Sequence, residues 1–235
     1  MGCDNALAYP SPVIQVQQQW PDGNRIVRIP ENEVFRVRSI FDDHDYGIPP
    51  QYMPTGPLTV VDIGANVGLF ALYMKRIRAD CEIFCFEPVP ATLELFKNNI
   101  GNDPQVHLYP YALSNREQTA QLHLHPWNSG ENSLKADANT PVETIRVPVK
   151  DAATVLRQIG LSYIDILKID TEGCEVEILE SLQPYLPYVG IVMVEYHSEK
   201  DRRSIDHRLE THLLFDANIC KPQLGIVKYI NARLV

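Results

Sequence analysis

The chain has 235 residues, 45% of them hydrophobic and 22% charged, enough to bury a core as one domain. Lys plus Arg total 21 against 30 Asp plus Glu, a net charge of −9 that repels phosphate backbones and argues against a nucleic-acid partner. No segment stays apolar for the ~18 residues of a membrane span, and MGCDNALAYPSP lacks the basic and apolar regions of a secretory leader and the myristoylation pattern, so the expected address is cytoplasmic.

Residues 1–24 are Gln- and Pro-rich and read as an extended arm with little core. IVRIPENEVFRVRSI alternates branched apolar and charged residues and reads as short strands or a hairpin. Pro-rich 48–57 is a connector, giving a division into an N-terminal cover, 1–57, and a main domain, 58–235.

From Leu58 the rhythm is strand, glycine turn, helix. LTVVDI is a buried-strand run, VGLFALYMKRIRA has helical spacing, CEIFCF is the next strand and PATLELFKNNI the next helix, with Pro90 in its first turn. VHLYPYAL reads as one strand, TAQLHLHP and ETIRVPVK as two extended segments flanking a long polar loop, and DAATVLRQIG as a helix. IDILKID is a strand, EVEILESLQPYL a helix and GIVMVEYH a strand; the tail, RRSIDHRLETHLLFDANI then GIVKYINARLV, supplies a helix and one or two closing strands. The five cysteines form no zinc-type spacing, and Cys81 and Cys85 are expected as buried small hydrophobes. Alternating βα units with continuous apolar strands predict a doubly wound α/β sheet, mostly parallel, with an antiparallel strand near the C-terminus.

VVDIGANVG sets Asp62, Gly64 and Gly68 between the first of these strands and its helix, where such sheets bind ligands. Gly64 permits the tight turn, and Gly68 lets the helix start close under a ligand. Glu87 ends the next strand, placed to accept both hydroxyls of a ribose, so the pair indicates an adenosine-containing cofactor. The loop reads DxGxxxG rather than the dinucleotide GxGxxG; its acid disfavours a pyrophosphate and suits a cationic methionyl sulfonium.

Together VVDIGANVGLF, FCFEPVPATLELFKNNI, YALSN, ILKIDTEGCEVEIL and IVMVEYH, spanning about residues 58–197, resemble the FkbM family of class I methyltransferases. The resemblance implies a Rossmann-like fold, S-adenosylmethionine as cofactor, and methyl transfer to a hydroxyl of a small molecule such as a sugar or polyketide. It further implies that Asp62, Gly64, Ala65, Asn66 and Gly68 line the methionine end, that Glu87 holds the ribose beside Pro88, and that Ala112 and Leu113 border the adenine. Lys150 stands where the family has a leucine.

Transfer to an alcohol needs the hydroxyl proton removed by a base or its charge met by a metal. Asp170 and Glu172 emerge from one strand end, Glu195 and His197 from the next. His197 or Asp170 is the expected base; alternatively Asp170, Glu172 and Glu195 hold a hard cation such as Mg²⁺. Glu175 and Glu177 are expected on a solvated helix face, and Tyr46 and Trp127 at the substrate mouth. N-methylation and cofactor binding without turnover remain as alternatives, and oligomeric state is open.

Overall fold

The computed structural model describes residues 11–135 and 143–235; Cys3, the leader region and part of the long polar loop lie outside them. β1 (Val13–Trp20) and β2 (Gly23–Pro30) form an antiparallel hairpin in unbroken register, from Val13 opposite Pro30 to Trp20 opposite Gly23. Residues 13–24 therefore belong to a packed hairpin rather than to an extended arm with little core. Their solvent face is glutamine, which hides the strand pattern, while Trp20, Val27 and Ile29 are buried.

EVFRVRSIF, expected as strand, is helix α1 (Phe35–Phe41). Its apolar positions fit both periods, and burial of Val37 and Phe41 on one helical face decides between them. Trp20 packs on Phe41 (ring centroids 5.7 Å apart), and Phe41 meets Tyr73 edge-on at 6.1 Å. Each such buried ring contributes roughly 1.5–3 kcal/mol, so the N-terminal segment shares the main core.

Next come β3 (Thr59–Ile63), α2 (Leu69–Ile77), β4 (Glu82–Phe86), α3 (Pro90–Ile100) and β5 (Val106–Tyr109). VHLYPYAL is not one strand: at Pro110 the chain leaves the sheet, and β6 (Ala112–Ser114) joins β7 (Gln118–Leu124) and β8 (Glu143–Asp151) in a separate three-stranded sheet. α4 (Ala152–Ile159), β9 (Ile164–Ile169), α5 (Glu175–Ser181), β10 (Val189–Tyr196) and α6 (Glu199–Arg208) follow. The closing strands are two, β11 (His212–Lys221) and β12 (Leu224–Asn231).

The seven-stranded sheet has the order β11-β12-β10-β9-β3-β4-β5. β12 runs antiparallel to both neighbours, and β3, β4, β5, β9 and β10 are mutually parallel. Alternation along each strand splits the core: Val60, Ile166 and Met193 face α2 and the N-terminal hairpin, while Val61, Leu167 and Val192 face α4–α6. Cys81 and Cys85 are buried as expected. Among the described residues no helix is long and apolar enough to cross a membrane.

From β3 the chain winds outward to β4 and β5, then crosses back to β9 and β10. The carboxyl ends of β3 and β9 thus form the topological switch point, where open α/β sheets leave a crevice.

Candidate active site

At that crevice β3 gives way to a turn. The Gly64 and Ala65 amides both donate to Phe86 O at 3.0 Å, and Asp170 N donates to Ile63 O at 3.0 Å, drawing three strand ends together. Gly64 has φ +81°, and a Cβ there would lie 1.7 Å from the Asp170 carbonyl oxygen, so only glycine fits. A Cβ on Gly68 would meet the Phe96 ring at 2.9 Å, so glycine there lets α2 pack on α3.

Glu87 lies just past β4 and is buried. Its carboxylate accepts from Asn66 N at 3.0 Å and Val89 N at 2.9 Å. Burial raises its pKa to about 7 against the pull of these two amides. Beside it is a slot of about 70 Å³ whose lining includes Gly64, Asn66, Glu87, Pro88, Ala112 and Leu113. Six of the nine residues assigned to the cofactor therefore meet in one place. Ala65 instead lines an adjoining cavity of about 550 Å³.

Asp62 reaches neither space. It is fully buried opposite Lys168 in the β3–β9 register, and its Oδ1 lies 3.0 Å from Lys168 Nζ. Lys168 Nζ also donates to Gly64 O at 2.8 Å and sits 3.5 Å from Asp170 Oδ2. Burial would strip this ammonium of its proton, but Asp62 and Asp170 outweigh it and hold the pKa above its ordinary value. Lys168 is a site residue that sequence reasoning passed over inside IDILKID; a lone lysine in a buried strand run was the available signal.

All four expected catalytic side chains, Asp170, Glu172, Glu195 and His197, line the larger cavity. Tyr46 lines it too, buried, with Oη 3.2 Å from Asp170 Oδ2 and 3.3 Å from Glu195 Oε2. Trp127 lines neither space and is 68% exposed.

His197 Nε2 is 2.9 Å from Glu172 Oε2 and 3.8 Å from Glu195 Oε1, and Nδ1 is 3.5 Å from Glu175 Oε1. Burial alone would lower the imidazolium pKa, but Glu172 and Glu175 push it up to about 11. The two neighbouring carboxylates thus favour the protonated ring at neutral pH. Glu175 is not on a solvated face: it is fully buried, accepting from Thr171 N at 3.0 Å and Gly173 N at 2.9 Å. Glu177 is at the surface side, 3.2 Å from Lys135.

The remaining acids titrate apart. Burial opposes ionisation of Asp170, yet Lys168, His197 and Arg36 keep its carboxyl below the usual range. Burial and the neighbouring Asp170 charge raise Glu195 to about 8. Two carboxylates sharing one cavity are thus split into a permanent anion and a group that changes protonation near neutrality, the pattern that separates proton carrier from electrostatic partner.

A seven-stranded sheet with one reversed strand and a ligand slot at its switch point defines a class I methyltransferase. Fibrillarin from Aeropyrum pernix, solved with natively bound S-adenosyl-L-methionine, shares the fold at 8% identity, with a TM-score of 0.53 over 92% of this chain and 82% of that one. The FkbM methyltransferase domain matches residues 62–218, and the chain belongs to that family of S-adenosylmethionine-dependent enzymes. Methyltransferase sdnD of Sordaria araneosa is 32% identical over 193 residues, 68% of this chain and 73% of that protein. The 31-O-demethyl-FK506 methyltransferase FkbM of Streptomyces tacrolimicus is 24% identical over 208 residues, 75% of this chain and 80% of that protein.

Proposed function

We propose that this protein methylates a hydroxyl of a small molecule, with Glu195 taking the hydroxyl proton. The observation that carries this reading is Glu195 itself: a carboxylate raised to about 8 that lines the cavity adjoining the Glu87 slot. The relative from Streptomyces tacrolimicus, whose name specifies an O-demethyl acceptor, supports the oxygen target.

In this reading Glu87 accepts the ribose hydroxyls, Pro88, Ala112 and Leu113 flank the adenine, and Gly64, Ala65 and Asn66 line the path of the methionyl chain. Bound S-adenosylmethionine supplies an electrophilic methyl on a sulfonium. Glu195 accepts the proton from the attacking oxygen as the new bond forms, and the single Tyr46 hydroxyl proton is within reach of either Asp170 or Glu195. Asp62 acts at one remove by holding Lys168 under the turn.

The carboxylates do not fit Mg²⁺. Ligand atoms of Asp170, Glu172 and His197 come within 4.8 Å of one another, but His197 keeps its proton and faces Glu172, and Asp170 is engaged by Lys168 and Tyr46. Mg²⁺ can draw several of its six oxygens from water but still needs a carboxylate free to bind it, and here both acids face a cation of the protein itself. A net charge of −9 and this acid-rich cavity also oppose a polynucleotide acceptor.

The test is a mass-spectrometric screen of hydroxylated and amino acceptors with labelled S-adenosylmethionine, with and without chelator. With the acceptor found, kcat/KM should climb with pH up to about 8, following ionisation of Glu195. Glu195→Gln should abolish that rise and lower turnover roughly 10²–10⁴-fold. Transfer to an amine that Glu195→Gln leaves intact would replace O- by N-methylation, and loss of activity with chelator would restore the metal.

A further inference from the structure

Five residues line both the slot and the larger cavity: Arg36, Gly64, Asn66, Asp170 and Glu172. They form the passage through which anything anchored by its ribose at Glu87 must reach the reaction cavity. Asp170 and Glu172 make one side of the passage anionic. Arg36, from α1, is the cation among the five.

The other cations of the site are engaged. Lys168 is held by Asp62, Asp170 and Gly64 O, and His197 by Glu172 and Glu175. Arg36 feels the charges of Asp170, Glu33, Glu195 and Glu172, yet among the described residues it hydrogen-bonds to none of these carboxylates. Of its five N–H groups, one on Nη2 donates to Asn128 Oδ1 at 3.1 Å, a neutral acceptor. Its nearest carboxylate, Glu33, is 3.8 Å from Nε, outside hydrogen-bond range. The Glu33 oxygens are taken up instead by Ser129, accepting from N at 2.6 Å and Oγ at 3.0 Å. Arg36 Nε is buried and, among the described residues, meets no acceptor.

An unsatisfied buried guanidinium N–H is costly, and its planar fork matches a carboxylate. We propose that Arg36 receives the α-carboxylate of the cofactor's methionyl group. The zwitterion is then oriented by the passage: its ammonium meets Asp170 and Glu172, and its carboxylate meets the Arg36 fork. This assignment rests on the reading of the slot as the adenosine site, and it makes α1 part of the cofactor site rather than only a cover.

The experiment is calorimetric, on the full chain without acceptor, so that no turnover intervenes. S-adenosylhomocysteine carries the amino-acid group; 5′-methylthioadenosine keeps the adenosine and thioether but lacks it. Arg36→Gln should weaken S-adenosylhomocysteine roughly 10- to 100-fold, the loss expected for a charge-assisted pair, and leave methylthioadenosine affinity unchanged. Arg36→Lys should recover part of the loss. Equal weakening of both ligands, or of neither, overturns the assignment. Should Arg36→Gln fail to fold, decarboxylated S-adenosylmethionine on the wild-type chain gives the same contrast: binding as tight as that of S-adenosylmethionine refutes the role. If the wild-type chain binds none of these nucleosides, the slot reading itself fails, a distinct outcome.

Discussion

The two sides of the cleft handle buried charge differently. On the β4 side one carboxylate, Glu87, is held by two backbone amides, from Asn66 and Val89. On the β9 and β10 side Asp170, Glu172 and Glu195 are met chiefly by the side chains of Lys168, His197, Arg36 and Tyr46. Backbone amides have no protonation state and move little, so the first arrangement suits binding. Side-chain partners trade protons and split neighbouring pKa values, which suits chemistry. A recognition half and a reacting half meet at Asp170.

If that division is right, the largest effect on folding should come from the reacting half. Lys168→Met leaves Asp62 buried with no counter-ion and should remove about 3–5 kcal/mol of stability in urea denaturation. A loss of only a few tenths would mean that Asp62 is neutral and that the pair is not what binds β3 to β9.

A change in the recognition half should instead appear in cofactor affinity. Glu87→Gln should weaken S-adenosylmethionine roughly 10- to 100-fold, the value of a charge-assisted hydrogen bond. The pH sign follows from its raised pKa: the wild-type carboxyl takes up a proton as pH falls through about 7, so affinity should drop below that pH, whereas the variant should show no such decline. A pH-independent wild-type affinity would detach Glu87 from the ribose.

The smallest effect should lie between the halves. Ser129→Ala removes one of the two hydrogen bonds to Glu33 and should cost about 1 kcal/mol. It should show as faster hydrogen exchange in 126–135, with β3 and β9 unaffected; protection lost across the sheet would make the Glu33 contact part of the global fold.

The same contrast explains what could be read in the chain beforehand. VVDIGANVG and FCFEP were legible because their partners lie close in sequence or follow a fixed strand–turn–helix spacing, and parallel strands covered on both faces are continuous apolar runs. Asp170, Glu172, Glu195 and His197 were legible as a group, since strand ends at one sheet edge must converge. Their division of labour was not. Whether His197 is a base or a fixed cation depends on Glu172 and on Glu175, which looks like a surface acid at the start of a helix. Lys168 acquires its meaning only through a register with β3, more than a hundred residues earlier. β1 escaped notice because glutamines on its outer face mute the alternation.

The aromatic contacts of the N-terminal segment bear on engineering. Trp20 rests on Phe41 and Phe41 on Tyr73; one turn away on the same helix, Phe70 supports Tyr46 edge-on at 5.2 Å. A chimera that borrows its first 57 residues from a relative, in order to import a new acceptor preference, would exchange this column of rings along with the chamber wall. Such grafts should succeed when Trp20, Phe41 and Tyr46 travel together with Phe70 and Tyr73, and should yield misaligned, sluggish hybrids when the seam is cut between them.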